Sequence, residues 1–323
     1  MSLLEELAQK AKAICPIIVY PEPEDERIVK AAGEAARRGV ARPVLVGPSS
    51  ALPKQVPPGV QTEAIDTSPR LAELAASYAE QRDMKEAIAR RLVVRPLVYA
   101  GMMVARGHAG GMVGGITHAT ANVIQAAGLT VGFQEGAGGA SSCFIMVVPR
   151  LRGEENVPLI FADCAVVVSP TADQLAGIAV ASARSCRRFL GVTPRVAMLS
   201  FSTAGSASHA DVDKVRRAAE LATAKIKDGH VQGELQMDAA VNPAIAARKK
   251  VGGGEVAGRA NVLIFPDLDA GNICYKAVQE LGGAQAIGPV LQGFARPVSD
   301  LSRGAKVEDV VATTVLVALQ TAD

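Results

Sequence analysis

The chain has 323 residues, of which 49% are hydrophobic and 20% are charged, a composition that predicts a soluble globular protein with two lobes. Its formal net charge of +2, its lack of Trp and its aromatic content of 3% argue against nucleic acid as a partner. No apolar run reaches the roughly 18 residues that a membrane span needs, so a membrane is not an expected partner either.

Short β-branched runs alternate with longer amphipathic segments along most of the chain. This alternation predicts an α/β protein with largely parallel sheets. The predicted strands are 17–20, 43–47, 61–66, 165–168, 196–199 and 262–265. The predicted helices include 26–38, 172–190, 211–227 and 307–320.

Two interruptions of this pattern predict where the chain passes from one lobe to the other. The first is the glycine-rich segment 128–139, and the second is the segment 292–300, which contains glycine and proline. We expect a first lobe of residues 1–140 plus 298–323 and a second lobe of residues 141–297. A site at the double crossing would lie in a cleft between the lobes, where small-molecule sites are common.

Two segments combine hydroxyl side chains with the expected end of a strand. The glycine-rich segment 110–122 carries Thr117, His118 and Thr120 into a helix, and the segment 200–206 follows a strand directly. Open α/β sheets bind ligands at such strand ends, although a helix cap is the alternative for the second segment. His118 alone fits a structural hydrogen bond as well as a substrate contact. The candidate residues in the second segment are Ser202, Thr203 and Ser206.

Two acidic segments follow later in the chain. Residues 233–240 contain two carboxylates, which solvated strand or helix ends explain more often than chemistry does. The acidic turn 267–271 opens a helix whose N–H groups could bind an anion, and Asn272 and Tyr275 follow it.

The segment 297–304, with the sequence PVSDLSRG, places Ser302, Arg303 and a helix-breaking glycine in consecutive positions. Asp309 lies in the helix that follows. A guanidinium beside a hydroxyl suits a substrate that carries phosphate or a polarisable carbonyl, and a nearby carboxylate can accept a proton. Together these residues predict acyl or phosphoryl transfer.

The remaining patterns exclude several chemistries. No cluster of His, Cys and Asp has the spacing of metal ligands, so we predict no bound metal. The segment 252–258 is one residue off the dinucleotide pattern and is better explained as a flexible connection. Five widely spaced cysteines and an acidic start with Glu5 and Glu6 predict reduced thiols and a cytoplasmic protein.

Four segments of the chain resemble the phosphate acetyltransferase (phosphotransacetylase) family, and they follow one another in the order that the family has. The resemblance is greatest to the compact, single-unit form, close to the ethanolamine-utilisation branch. It is dense from residue 161 onward and thin between residues 49 and 89. The segments that carry it are 202–207, 233–240, 271–276 and 297–304, supported by 20–22 and 25–27.

The resemblance implies a two-lobed fold similar to isocitrate and isopropylmalate dehydrogenases, usually a homodimer with its site between the lobes. It implies the reversible reaction of acyl-CoA with phosphate to give acyl phosphate and free CoA, with acetyl as the default acyl group. Coenzyme A is then a substrate, and no permanently bound cofactor is implied. The implied substrate-binding residues are Thr117, His118, Thr120, Ser202, Thr203, Ser206, Asn272 and Tyr275.

By position, Ser302, Arg303 and Asp309 match the catalytic serine, arginine and acidic residue of the family. In the direction that makes the thioester, Asp309 would take the thiol proton of CoA. Arg303 would polarise the carbonyl of the acyl phosphate, and Ser302 would hydrogen-bond the reacting group. An aspartate is ordinarily about 4.6 pKa units more acidic than a thiol. We therefore expect Asp309 to act as a base only if burial raises its pKa or if Arg303 also stabilises the thiolate.

Two positions depart from the family pattern, because Gln125 and Glu280 stand where the family typically has arginine. The loss of two cations would weaken binding of phosphate-bearing substrates, and Glu280 would repel phosphate. Arg95, Arg150 and Arg296 are candidates to compensate. The alternatives are a different substrate or a non-catalytic, weakly active acyl-CoA-binding regulator on the same scaffold. A dehydrogenase of the related fold is disfavoured, because no metal-binding carboxylate cluster is evident.

Overall fold

The computed structural model describes residues 2–322, which divide into two compact units. The first unit consists of the residues up to Phe133 together with those from Phe294 onward, and the second is Gln134–Gly293. The chain therefore leaves the first unit once and returns to it once.

Helices and strands alternate through both units, as the sequence pattern predicts. The helices are α1 (Leu3–Ile14), α2 (Glu26–Arg37), α3 (Arg70–Gln81), α4 (Glu86–Val93), α5 (Pro96–Ala105), α6 (Thr120–Thr130), α7 (Ala172–Ser185), α8 (Ala210–Lys225), α9 (Met237–Val241), α10 (Pro243–Arg248), α11 (Leu268–Glu280) and α12 (Val307–Gln320). The strands are β1 (Ile17–Tyr20), β2 (Arg42–Gly47), β3 (Gln61–Ala64), β4 (Gly111–Gly114), β5 (Ser141–Leu151), β6 (Glu154–Ala162), β7 (Arg195–Leu199), β8 (His230–Leu235), β9 (Val262–Ile264), β10 (Gln285–Gln292) and β11 (Val298–Asp300).

The sheet of the first unit has five strands in the order β11-β4-β1-β2-β3, and all four pairings are parallel. In β1, Ile18, Val19 and Tyr20 have no exposed surface, as expected for a parallel strand covered on both faces. The Tyr20 hydroxyl forms a 2.7 Å hydrogen bond with the Thr314 hydroxyl of α12. Because the strands are parallel, the carboxyl ends of β11, β4 and β1 share one edge of the sheet.

The sheet of the second unit has six strands in the order β10-β5-β6-β9-β7-β8. Strands β6, β9, β7 and β8 are parallel, whereas β5 and β10 add antiparallel pairings at one side. The β5–β6 hairpin turns at Arg152 and Gly153, whose positive φ angles of 54° and 81° suit a two-residue hairpin turn. The predicted α/β fold is thus confirmed, with one wholly parallel sheet and one mixed sheet.

The predicted strand at 165–168 is wrong. Strand β6 ends at Ala162, and the next residue, Asp163, is only 3% exposed. Its carboxylate accepts hydrogen bonds from the backbone N–H groups of residues 165–167, at 2.9, 3.2 and 2.9 Å. Those N–H groups cannot also pair with a neighbouring strand, so this β-branched run forms a loop.

Other predicted elements agree with the structure to within a few residues. The last predicted helix, 307–320, is observed as α12 with the same bounds. The predicted helix 172–190 is α7 as far as Ser185, followed by a π-helical turn at Cys186–Leu190. The predicted strand 61–66 ends at Ala64. Within residues 2–322, none of the helices combines the length and the apolar character that a membrane crossing demands.

Candidate active site

Three loops at the carboxyl edge of the first unit's sheet carry most of the predicted site residues of that unit. They follow β1, β4 and β11, which are neighbours in the sheet. The first loop contains Glu22, the second contains residues 115–120, and the third contains Ser302 and Arg303. Polar loops at this edge form the usual ligand site of an open parallel sheet.

Glu22 organises the loop that follows β4. It is fully buried, and its carboxylate accepts hydrogen bonds from the backbone N–H groups of Gly115, Ile116 and Thr117, at 2.8, 3.1 and 2.7 Å. The Thr117 hydroxyl adds a fourth bond of 2.7 Å. Burial raises the pKa of Glu22, but the hydrogen bonds from His118 and from this loop outweigh burial and hold the pKa below its usual range. Glu22 is therefore an ionised anchor of the loop.

His118 faces Glu22 through one nitrogen of its ring. The distance from His118 Nδ1 to Glu22 Oε1 is 2.7 Å, and the Thr117 hydroxyl lies 3.2 Å from the same nitrogen. The His118 side chain is 32% exposed. An ionised carboxylate beside Nδ1 fixes the tautomer in which Nδ1 carries the proton. Nε2 is then unprotonated and can accept a hydrogen bond.

Asp300, the last residue of β11, is the second buried carboxylate at this edge. It is 4% exposed, and its Oδ2 accepts a 2.6 Å hydrogen bond from the Thr120 hydroxyl. Its Oδ1 has no hydrogen-bond partner among residues 2–322. Burial raises the pKa of Asp300 to about 6, the charge of Glu22 adds to this rise, and the bond from Thr120 opposes it. Gly115, at φ 111°, leaves the room for Oδ1, since a Cβ there would collide with it.

The loop that carries Ser302 and Arg303 is anchored by its backbone. Arg27 Nη1 donates hydrogen bonds to the carbonyls of Arg303 and Ala305, at 2.9 and 3.0 Å. Asp25 holds the same guanidinium through bonds of 3.0 and 2.7 Å to Nε and Nη2. The side chains of Ser302 and Arg303 are exposed. The loop is therefore fixed while both functional groups stay available to a ligand.

Asp309 lies in the first turn of α12, as predicted, but it is exposed. Its Oδ2 accepts a 2.8 Å hydrogen bond from the backbone N–H of Lys306, so the carboxylate caps the helix. The desolvated surroundings expected for a base at this position are not seen in the structure.

In the second unit, Ser202, Thr203 and Ser206 lie in the loop after β7. The hydroxyls of Ser202 and Thr203 are buried and bond to Glu234 and Gln236, at 2.9 and 3.2 Å. Ser206 is exposed, although its Oγ accepts a 3.0 Å bond from the Thr203 N–H. The first two hydroxyls therefore shape the loop.

Glu234 is not the solvated strand end that the sequence suggested. It is 4% exposed and receives Arg216 Nε at 2.8 Å and the Gly205 N–H at 2.8 Å. Burial raises its pKa, but the bonds from Arg216 and the backbone bring the pKa down to about 2. The second carboxylate of the segment, Asp238, is exposed and pairs with Lys249 at 2.9 Å.

Asn272 and Tyr275 both lie on α11 and are partly buried. Asn272 Nδ2 donates a 3.0 Å hydrogen bond to the Cys164 carbonyl, and Tyr275 stacks on Phe144 with ring centroids 4.4 Å apart. Burial raises the pKa of the Cys164 thiol, which opposes a nucleophilic role. These side chains make structural contacts within their own unit.

Glu22 and Asp300 are the two residues of the site to which sequence reasoning assigned no role. Glu22 stands in a segment that supports the family resemblance, and Asp300 stands inside PVSDLSRG, two residues before Ser302. Their position at the carboxyl end of a strand or just beyond it is a signal, but burial of a carboxylate cannot be read from one sequence. The departures Gln125 and Glu280 are both exposed, on α6 and at the end of α11. No three His, Cys, Asp or Glu side chains converge as metal ligands in the described part of the chain.

The fold and this edge of the sheet define an α/β enzyme with a site for a polar small molecule. The model of the phosphate acetyl/butaryl transferase family matches residues 2–318, and the chain belongs to this family.

Relatives in two organisms are similar over their whole length. A phosphate acetyltransferase of Acetivibrio thermocellus is 42% identical, covering 99% of this chain and 98% of the relative. One of Thermoanaerobacterium thermosaccharolyticum is 45% identical, with 99% of each chain covered. The chain is therefore an acyltransferase that moves an acyl group reversibly between CoA and phosphate, and CoA is its substrate.

Solved structures support the same family and the predicted branch. The EutD phosphotransacetylase from Staphylococcus aureus matches with a TM-score of 0.90 and 37% identity, covering 99% of this chain and 98% of that one. A 4-hydroxythreonine-4-phosphate dehydrogenase from Klebsiella pneumoniae matches with a TM-score of 0.52 and 14% identity, covering 94% and 98%. The second match shows the fold alone, and it confirms the predicted likeness to dehydrogenases.

Proposed function

We propose that the acyl group is acetyl and that Ser302 and Arg303 are the catalytic residues that contact it. The observation that carries this proposal is the anchored loop. Arg27 fixes its backbone through two carbonyls, at 2.9 and 3.0 Å, while the side chains of Ser302 and Arg303 remain exposed. A preorganised donor pair of this kind can stabilise charge that develops on a reacting carbonyl.

In the direction that forms the thioester, the Arg303 guanidinium polarises the carbonyl of acetyl phosphate. Its planar fork suits both that carbonyl oxygen and the phosphate oxygens. The Ser302 hydroxyl donates a hydrogen bond to the same reacting group. Thr117, His118 and Thr120 belong to the neighbouring loop of the same edge, and we propose them as substrate contacts.

Asp309 is the third catalytic residue that the resemblance implies, and as a proton acceptor it remains a proposal. The predicted contacts of the second unit also remain proposals. Ser206 is the best placed of them, because it is exposed. Those predicted contacts are Ser202, Thr203, Ser206, Asn272 and Tyr275.

We further propose a cytoplasmic homodimer. The family resemblance supports the dimer, and sedimentation of the purified protein would test it. The cytoplasm is supported by the cysteines, since none of the five in the described chain forms a disulfide.

The direct test follows thioester formation from CoA and acetyl phosphate with the purified protein. We expect turnover with acetyl phosphate to exceed turnover with longer acyl phosphates. Ser302→Ala and Arg303→Gln should each remove about 2–4 kcal/mol of transition-state stabilisation, which lowers kcat/KM by roughly 30- to 1,000-fold. Arg90→Gln, which changes an exposed arginine of α4, is the matched control and should keep the wild-type rate. Wild-type rates in both site variants would remove these residues from the mechanism.

A further inference from the structure

The side chains of the loop after β4 donate their hydrogen bonds inward, to two buried carboxylates. The Thr117 hydroxyl donates a 2.7 Å hydrogen bond to Glu22. The Thr120 hydroxyl donates one of 2.6 Å to Asp300. His118 contacts Glu22 through Nδ1, also at 2.7 Å. Because both carboxylates are buried, all three bonds point away from any ligand that approaches the loop.

The outward side of the same side chains therefore offers acceptors. A hydroxyl has one proton and two lone pairs, so Thr117 and Thr120 can still accept a hydrogen bond but have no second proton to donate. In His118 the proton is on Nδ1 and the free lone pair is on Nε2. Thr117 and Thr120 are exposed, and the His118 side chain is 32% exposed, so a ligand can reach each of them.

Both buried carboxylates are ionised at mildly alkaline pH. Burial raises the pKa of Glu22, but the hydrogen bonds from His118 and from Thr117 outweigh burial and hold the pKa below its usual range. Burial raises the pKa of Asp300 to about 6, so Asp300 is ionised at pH 8. An ionised carboxylate can only accept hydrogen bonds, so the two threonine hydroxyls stay turned inward.

The charges around the loop disfavour a phosphate at these side chains. Arg27, a cation that responds to the charge of Glu22, is already bound by Asp25 at 2.7 Å. Helix α6 begins at Thr120, and a helix N-terminus carries about half a positive charge. The two negative charges of Glu22 and Asp300 exceed this half charge. A dianionic phosphate is therefore repelled, whereas an uncharged N–H donor is not.

The neighbouring loop has the opposite polarity. Ser302 and Arg303 are exposed, and a guanidinium has donors but no acceptor. The two loops are joined, because the Thr120 hydroxyl bonds to Asp300, which stands two residues before Ser302. This edge of the sheet therefore has a cationic side that donates hydrogen bonds and an anionic side that accepts them.

We propose that Thr117, His118 and Thr120 bind the pantetheine arm of CoA by accepting hydrogen bonds from its amide N–H groups. The arm is an uncharged chain with amide groups that ends in the thiol, so it supplies the donors that this loop lacks. The phosphate of acetyl phosphate is bound beside Arg303. The assignment rests on the proposed function, because it requires both substrates to bind at this edge, and it leaves the thiol proton to Asp309.

The test removes the acceptor at position 120 while keeping the shape of the side chain. Thr120→Val has no lone pair, so we expect KM for CoA to rise about three- to tenfold, the usual effect of one hydrogen bond. KM for acetyl phosphate should change by less than about twofold. Thr120→Ser keeps a hydroxyl and should retain both wild-type KM values.

A CoA analogue without the sulfur separates the arm from the thiol. It keeps the amide groups, so its inhibition constant should rise in Thr120→Val by the same factor as KM for CoA. An unchanged inhibition constant beside a raised KM would place the contact at the thiol and overturn the assignment to the arm.

The matched control is Thr62→Val, which changes an exposed threonine of strand β3 in the same unit. It should keep both wild-type KM values. A disturbed edge would raise KM for both substrates in Thr120→Val, and a phosphate contact would raise KM for acetyl phosphate alone. Either result, or no change in either KM, would overturn the proposal.

Asp300 should act through Thr120 as a positioning residue. Asp300→Ala frees the hydroxyl to rotate, so we expect it to raise KM for CoA in the wild type but to add nothing in Thr120→Val. Asp300→Asn keeps an acceptor oxygen and should retain the wild-type KM. Additive effects of Asp300→Ala and Thr120→Val would overturn this positioning role.

Two failures can be told apart. A wild type that forms no acetyl-CoA would overturn the proposed function. Calorimetric titration with CoA needs no turnover and tests the loop by itself. Equal affinities of the wild type and Thr120→Val for CoA would overturn the assignment of the loop alone.

Discussion

Asp300 is a carboxyl group whose folded environment disfavours its charge. Burial leaves Oδ1 without a hydrogen-bond partner in residues 2–322, and the nearby Glu22 is negative. The pKa of about 6 lies above the usual value of 3.8, so the folded state holds this proton more tightly than the unfolded state. The stability that this group contributes is therefore complete at low pH and is lost as the pH rises towards and through about 6.

This shift predicts that Asp300→Asn stabilises the protein at alkaline pH. An amide keeps an acceptor for the Thr120 hydroxyl and removes the buried charge. A rise of about 2 pKa units corresponds to about 3 kcal/mol, so we expect the free energy of unfolding to increase by about 1–3 kcal/mol at pH 8. At pH 4 the gain should vanish. Urea unfolding at both pH values measures it, and an equal gain at both would contradict the ionisation argument.

Residue types were more predictable than residue environments. The sequence indicated Ser302 and Arg303 because a hydroxyl and a guanidinium in consecutive positions suggest anion chemistry. It assigned no role to Glu22, whose importance depends on three backbone N–H groups about 95 residues away that only folding brings together. The sequence analysis interpreted Glu234 as solvated. The ion pair that buries its charge joins Arg216 on α8 to Glu234 on β8, and a pairing between two separate elements cannot be read from the sequence.

At the scale of elements, α12 begins at a cap that involves Asp309. The carboxylate accepts the Lys306 N–H at 2.8 Å, and such caps contribute about 0.5–2 kcal/mol to stability. We expect Asp309→Ala to lower the free energy of unfolding by about that amount. Asp309→Asn, which keeps an acceptor oxygen, should lose less. Denaturant titrations measure both.

Activity separates the cap from a role in proton transfer. If Asp309 acts through the start of α12, Asp309→Asn should keep most of the wild-type kcat. A large loss of kcat in Asp309→Asn, with stability unchanged, would instead favour the carboxylate as the proton acceptor.

Elements were predictable where one periodicity dominated. The bounds of α12 were predicted because an apolar helical repeat follows shortly after the helix-breaking Gly304. The run 165–168 was mistaken for a strand because its β-branched residues suggested one, whereas the sequence does not show that the Asp163 carboxylate, two to four residues earlier, binds its N–H groups. The hairpin β5–β6 was missed because no turn signal was recognised at Arg152 and Gly153.

At the scale of the whole molecule, the second unit is one continuous segment whose two ends meet. The Gln134 N–H donates a 2.8 Å hydrogen bond to the Gly293 carbonyl. Within the first unit, Ala295 N–H bonds to the Gly132 carbonyl at 3.0 Å, and Phe133 and Phe294 stack with ring centroids 5.2 Å apart. The segments 128–139 and 292–300, singled out by glycine and proline in the sequence, contain these points.

We therefore expect residues 134–293 to fold when expressed alone. The segment retains all six strands of its sheet, and its ends are already held together. Circular dichroism and a cooperative thermal transition would measure this. The segment 114–273, of equal length, is the matched control, because it lacks β10 and should not unfold cooperatively. Equal behaviour of the two segments would contradict the expectation.

The meeting of those ends also decides how the protein would respond to mechanical load. Helices α1 and α12 both belong to the first unit. A pulling force applied between them would be carried by the first unit for as long as residues 133 and 294 stay side by side. The second unit would bear no tension until that junction opened. Extension in an optical trap should therefore begin with unfolding of the first unit, which is built from two segments of the chain.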